Sequence, residues 1–154
     1  MFEIRPTGRM KSLILALIFA AVIAAAVTRS WLVLAICAAV VLLVTVWWCF
    51  FAKISLTVTP GRIRILAPLY SRTVELGSDT EVSLKTDDGV NHGLVNWPIT
   101  GRVSSPAGLR LNMGGSGTAV TVRGAAGELV TVVFCDSAAA QDYADTVKEA
   151  AGRL

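Results

Sequence analysis

Two stretches near the start of the chain, Ser12 to Thr28 and Ser30 to Ala52, contain no charged residue, whereas from Lys53 onward polar and apolar residues alternate. A helix rises about 1.5 Å per residue, so about 20 apolar residues cover a hydrocarbon core about 30 Å thick. The second stretch meets that length. The first approaches it, with Lys11 and Arg29 able to extend their charged heads from its two ends. The pattern predicts an N-terminal segment 1–11 and then a transmembrane helical hairpin, 12–28 and 30–52, turning at Arg29. Ala16, Ala20 and Ala24 recur every four residues and would let the first helix approach its partner closely. Trp31 at one end of the second stretch, with Trp47 and Trp48 at the other, suits aromatic anchors at the two membrane interfaces.

Arg5, Arg9 and Lys11 precede the hairpin, and Lys53, Arg62 and Arg64 follow it, while Arg29 alone marks the turn. The positive-inside bias then places both termini in the cytoplasm, the chain crossing a bacterial inner membrane twice. A basic start, an apolar run and Ala24-Ala25-Ala26 also fit a cleavable signal peptide, which would leave the following domain on the same side.

Period-2 alternation begins at Ile54, Leu56 and Val58, with Ser55, Thr57 and Thr59 on the opposite face. Pro60-Gly61 is a turn pair, and Ile63 and Ile65 set between Arg62 and Arg64 give the returning strand. Val74 and Leu76, then Val82 and Leu84, extend this to a four-strand meander. Thr86 to Ser105 is rich in turn residues and reads as an irregular connection with one strand near Leu94 to Thr100. Runs at Leu109 to Met113, Ala119 to Val122 and Leu129 to Phe134 complete a sheet that is antiparallel by economy of connection. Asp136 or Ser137 can cap a helix over 137–152, whose apolar stripe is Ala140, Tyr143, Ala144, Val147, Ala151 and Leu154.

Residues 53–154 therefore predict an α+β domain, a small antiparallel sheet or partly closed barrel capped by a C-terminal amphipathic helix. The hairpin at Trp31 to Ala52, the strand pair Ile54 to Arg64, the stretch Gly93 through Trp97 to Gly101, and Val130 to Asp136 leading into the helix together carry a resemblance. The chain resembles small actinobacterial membrane proteins that place a pleckstrin-homology-like domain behind a two-helix hairpin. The resemblance implies that fold but no catalytic residue, because the fold hosts lipid, peptide and protein binding alike.

Charge changes the picture little. The net charge is +3, yet residues 53–154 hold ten Lys or Arg against ten Asp or Glu, so the excess sits near the N-terminus. A nucleic-acid footprint needs cations clustered on the folded domain, and that class is set aside. Cys37, Cys49 and Cys135 have no C-x-x-C spacing and imply neither a disulfide framework nor a zinc site.

Gly114-Gly115-Ser116-Gly117-Thr118 lacks the Gly-Lys-Ser/Thr ending of a phosphate loop, fails the G-x-S-x-G spacing of a serine nucleophile, and reads as a hairpin turn. Asp87, Asp88 and His92 are the one grouping of metal-competent side chains, and a solvated turn explains them more simply. Arg62, Arg64 and Arg72 follow the second apolar stretch closely and could contact a membrane surface.

The functional expectation is a membrane-tethered, non-enzymatic interaction module without cofactor, in contact with the lipid bilayer and binding a protein partner of unknown identity. Sensing of anionic lipid headgroups is the alternative. An enzyme using Asp87, Asp88 and His92 ranks third.

Overall fold

The computed structural model describes residues 1–27, 31–68, 70–91, 97–98, 100–105 and 108–153. The chain divides into two compact units, Met1–Arg5 with Lys53–Leu154, and Pro6–Ala52. The second unit is thus inserted into the sequence of the first.

The inserted unit contains α1 (Gly8–Val27) and α2 (Trp31–Val46), followed by a π-helical turn, Trp47–Phe51. Ile18, Ala21 and Val22 of α1 share a crevice with Leu34, Ala38 and Val41 of α2, the three-and-four spacing of facing helices. Ala16 and Ala20, expected at the close approach, are exposed instead.

The expected transmembrane hairpin is corrected here: among the described residues no helix is long and apolar enough to cross a membrane. Arg9 and Lys11 stand in the first turn of α1, which leaves Ser12 to Val27, about 24 Å of uncharged helix. The α2 helix has 16 residues, again about 24 Å, before its backbone leaves α geometry at Trp47; both fall short of a core about 30 Å thick. The reading as a two-pass inner-membrane protein with cytoplasmic termini falls with the spans it was built on.

The larger unit is α+β, with two main sheets rather than one partly closed barrel. In the first sheet β1 (Phe2–Ile4), β2 (Ile54–Thr59), β3 (Arg62–Ala67) and β4 (Tyr70–Glu75) lie in sequence order, all antiparallel. The N-terminal residues, read as a basic tail, supply its edge strand: Phe2 stands opposite Leu56 and Ile4 opposite Ile54. Glu3 fixes that edge by bonding Lys53 Nζ at 2.7 Å and Arg5 at 3.2 Å.

The second sheet runs β5 (Glu81–Asp87), β10 (Gly117–Arg123), β11 (Leu129–Phe134), β9 (Gly108–Met113), β8 (Thr100–Ser105). β5, expected as the fourth strand of a meander, belongs to this sheet. β6 (Val90–Asn91) and β7 (Trp97–Pro98) form a separate short pair.

One ladder breaks the antiparallel expectation, for β9 and β11 run parallel. The connection from β9 skips one position to reach β10, a step of about 10 Å at normal strand spacing, and β11 returns into the gap. Gly114 to Gly117 therefore passes over the end of β11 and is no hairpin turn. Its glycines have a geometric cause, since a Cβ on Gly117 would stand 2.0 Å from the Phe134 carbonyl oxygen. Asn112, 1% exposed, locks the passage by donating to Gly115 O at 2.8 Å and accepting from Gly115 N at 3.1 Å.

Helix α3 (Ser137–Gly152) starts where Asp136 accepts a hydrogen bond from Ala138 N at 3.0 Å. Its buried stripe, Ala140, Tyr143, Ala144, Val147, Ala150 and Ala151, packs on strands of both sheets. Ile54, Leu56, Ile63, Ile65, Leu111 and Val132 fill the core between them, each fully or almost fully buried and each contributing about 1.5–3 kcal/mol. Among the described residues Tyr143 is the largest fully buried side chain, with its ring 5.3 Å from those of Phe2 and Phe134. Burial pushes its hydroxyl pKa far up, so it stays neutral.

Candidate functional site

The outer face of the first sheet follows from the alternation that buries its inner face. Ile54, Leu56, Ile63, Ile65 and Val74 point inward, so Thr57, Thr59, Arg62, Arg64, Ser71 and Thr73 point out. These six line a concavity of about 410 Å³. Register sets them in rows across the sheet: Thr57, Arg64 and Thr73 in one, Thr59, Arg62 and Glu75 in the next. Directly opposed residues have Cβ atoms about 4.5–5.5 Å apart, within hydrogen-bonding reach of one bound group.

Among the described residues, the Arg62 and Arg64 side chains make no ion pair or hydrogen bond. Thr59 Oγ1 is engaged, donating to the Arg62 carbonyl at 3.2 Å. The backbone beneath is already satisfied by three antiparallel ladders, which leaves the side chains to meet a ligand. A guanidinium offers a fork of N–H donors that fits two oxygens of a phosphate or carboxylate, and a threonine hydroxyl adds a donor beside it. The chemistry this face can perform is recognition of an oxyanion.

Arg72 does not join the other two arginines. It shares the inward parity of Val74 and donates to Glu128 at 2.8 Å. Tyr70, then Glu128, hold its guanidinium further toward the charged form. The Arg102 guanidinium lies 4.4 Å from the centre of the Tyr70 ring, a cation–π contact. The three basic residues grouped by sequence proximity therefore split into a free pair and a neutralised one.

The acidic grouping is dismantled more completely. Asp87 Oδ1 accepts from Gly89 N at 2.7 Å and also takes the Arg110 guanidinium, whose other nitrogen reaches the Val90 carbonyl at 3.2 Å. Asp88 accepts from Val90 N at 3.0 Å. Gly89 holds φ +77°, and a Cβ there would sit 2.3 Å from Gly115 O, so this turn is wedged against the Gly114–Gly117 passage. His92 lies outside the described residues. Among the described residues no three His, Cys, Asp or Glu side chains gather in a way that could hold a metal ion.

Trp31, the first residue of α2, is 82% exposed, and Trp47 packs on Trp48 with ring centres 6.0 Å apart in the π-helical turn. With no span to bracket, their spacing no longer marks two interfaces. Cys37 and Cys135 are free, and partial desolvation raises the Cys135 thiol above its ordinary value, away from a reactive thiolate.

Sequence reasoning missed Thr57, Thr59, Ser71 and Thr73 as partners of the arginines. The signal was present in the alternation of all three strands, but pairing register was needed to bring them into rows. No family model, no curated protein and no solved structure matches this chain.

Proposed function

We propose that the chain is a non-enzymatic interaction module that recognises an anionic ligand on the outer face of the four-stranded sheet. The observation that carries this reading is the free pair Arg62 and Arg64, set among hydroxyls over a concavity of about 410 Å³. That volume falls within the usual small-molecule range of about 300–1,000 Å³. The smaller groove lined by Thr59, Pro60, Glu149 and Arg153, about 120 Å³, is a weaker candidate because Arg153 is already paired with Glu149.

The test is thermal unfolding of the full chain in phosphate, sulfate, citrate or chloride at constant ionic strength. At ten times its Kd a ligand stabilises by about 1.4 kcal/mol, a rise of several degrees for a unit of this size. The oxyanions should raise the midpoint over chloride, and the double variant R62Q/R64Q should abolish the rise. Equal shifts in the double variant, or none in the native chain, contradict the proposal.

A second reading, a protein partner covering the helical hairpin, is favoured by Phe19, Trp31, Leu43 and Phe51, each more than two-thirds exposed. Contiguous apolar surface beyond a few hundred Å² marks a contact site. A photo-crosslinker replacing Leu43 should give a discrete protein adduct that the same group at exposed Lys85 does not. Indistinguishable adducts from the two positions count against it.

A further inference from the structure

The two arginines of this face are not equivalent. Arg64 stands between Thr57 and Thr73, two hydroxyls on the flanking strands. Arg62 stands between Thr59, whose hydroxyl already serves the Arg62 carbonyl, and the Glu75 carboxylate. The Glu75 carboxylate directly opposite offsets the charge that Arg62 offers, and two hydroxyls without a hydrogen bond among the described residues reinforce the charge that Arg64 offers. One guanidinium fork and two hydroxyls converging from three strands match the several oxygens of a terminal phosphate better than the two of a carboxylate.

We infer that Arg64, flanked by Thr57 and Thr73, is the seat for the terminal phosphate of a small phosphate monoester free in solution, with Arg62 and Glu75 as the rim that orients it. The inference rests on the outer sheet face being the ligand surface. All six residues lining the concavity are polar. Among the described large apolar residues of this unit, only Met1 and Leu66 are exposed, Leu66 at 40% beside Ser55 and Ser71 in register. An acidic protein partner would call for aromatic or aliphatic anchors at the centre of the patch, and a lipid headgroup for apolar side chains directed at the acyl layer. Leu66 alone stands on this face, outside the lining of the concavity, and no apolar side chain lies among the six residues that form it.

A phosphate monoester takes its second negative charge just below neutral pH and inorganic phosphate, the probe used, takes its own close to neutrality. Binding of phosphate should therefore strengthen several-fold between pH 5 and pH 7.5. Sulfate, a dianion throughout, should show no such rise. The titratable groups sharing the face with Arg62 and Arg64 are Glu75 and Glu3, and Glu3 is held by Lys53 and Arg5.

The decisive experiment is calorimetric titration of the full chain, its apolar hairpin covered by a mild nonionic detergent, with inorganic phosphate as the probe. Arg64→Gln should weaken binding about tenfold or more, the loss of a charge-assisted contact. Arg64→Lys should recover part of that loss, Arg62→Gln should cost about threefold or less, and Glu75→Gln should tighten binding. The Arg64 side chain is exposed and unpaired among the described residues, so its variants should keep the native unfolding midpoint without ligand.

Equal losses at Arg62 and Arg64, or a phosphate affinity indifferent to pH, overturn the seat while leaving oxyanion recognition standing. Tighter binding to micelles doped with phosphatidic acid than to phosphate, against a phosphatidylcholine control, assigns the face to a lipid source and overturns the inference. The absence of any saturable oxyanion binding removes the broader proposal with it.

Discussion

Leu111 and Leu43 are the same side chain in the two units of this molecule. Leu111 on β9 is fully buried between sheet and helix, whereas Leu43 on α2 is 69% exposed. The difference begins in the sequence around each. Leu109, Leu111 and Met113 are apolar at every second position in a strand, so one face carries them all and the fold has only to bury that face. In α2 every residue except Thr45 is apolar, and contact with α1 covers a single stripe at three-and-four spacing. The apolar side chains off that stripe, Leu32, Ile36, Leu42 and Leu43 among them, stay exposed. One unit closes its core by itself, and the other displays apolar surface.

Paired truncations should show the largest contrast between the two units. Leu111→Ala should destabilise the β-rich unit by about 2–5 kcal/mol, the transfer loss plus the cavity. Leu43→Ala should change stability by less than about 0.5 kcal/mol. Denaturant unfolding, with hydrogen exchange of the β11 amides as a second probe, reads both. Comparable losses would mean that the hairpin packs from within as the other unit does.

A smaller effect tests whether the N-terminal residues belong to the β-rich unit. Phe2→Ala removes the edge-on contact with Tyr143, an interaction of about 0.5–1.5 kcal/mol besides the area it buries. The unit should lose about 1–2 kcal/mol while the hairpin helices keep their helical content by circular dichroism. No loss would detach β1 from the core.

The smallest effect is electrostatic. Hydrogen bonds from Lys53, then Arg5, hold the Glu3 carboxyl below its ordinary value in the folded chain. A depressed carboxylate contributes stability above its unfolded pKa and loses it as the pH falls through the folded value. The native chain should therefore lose slightly more stability than Glu3→Gln on acidification below about pH 4.5. Parallel pH profiles for the two would show that Glu3 does not fasten the edge strand.

How far the sequence foretold this arrangement depends on the range of the signal. The strand runs at Ile54, Ile63 and Leu129 and the cap at Asp136 are set by neighbouring residues and were legible. β1 was not, because Phe2 to Ile4 is too short to show a period and gains its partner across the whole inserted hairpin. The parallel pairing of β9 with β11 was hidden because economy of connection predicts neighbouring strands, and the chain skips a position here. The hairpin's length was overread by counting uncharged residues. Apolar composition does not show where the backbone leaves α geometry, as it does at Trp47, and the stretch from Ser12 lies inside a helix that begins at Gly8.

At the site, alternation alone put Arg62 and Arg64 on one face. It also put Arg72 on the other, beside Val74, a parity that outweighs its closeness in sequence. Asp87 could not be read as spent without Arg110, 23 residues away.

A nuclear magnetic resonance titration of the labelled full chain with inorganic phosphate locates the ligand on the sheet residue by residue. Saturable shifts are expected, centred on the amides and side chains of Thr57, Arg64 and Thr73, with smaller ones at Arg62 and Glu75 and none in α3. Shifts centred instead on Tyr70, Arg72 and Arg102, or no saturable shift at all, would contradict the seat at Arg64.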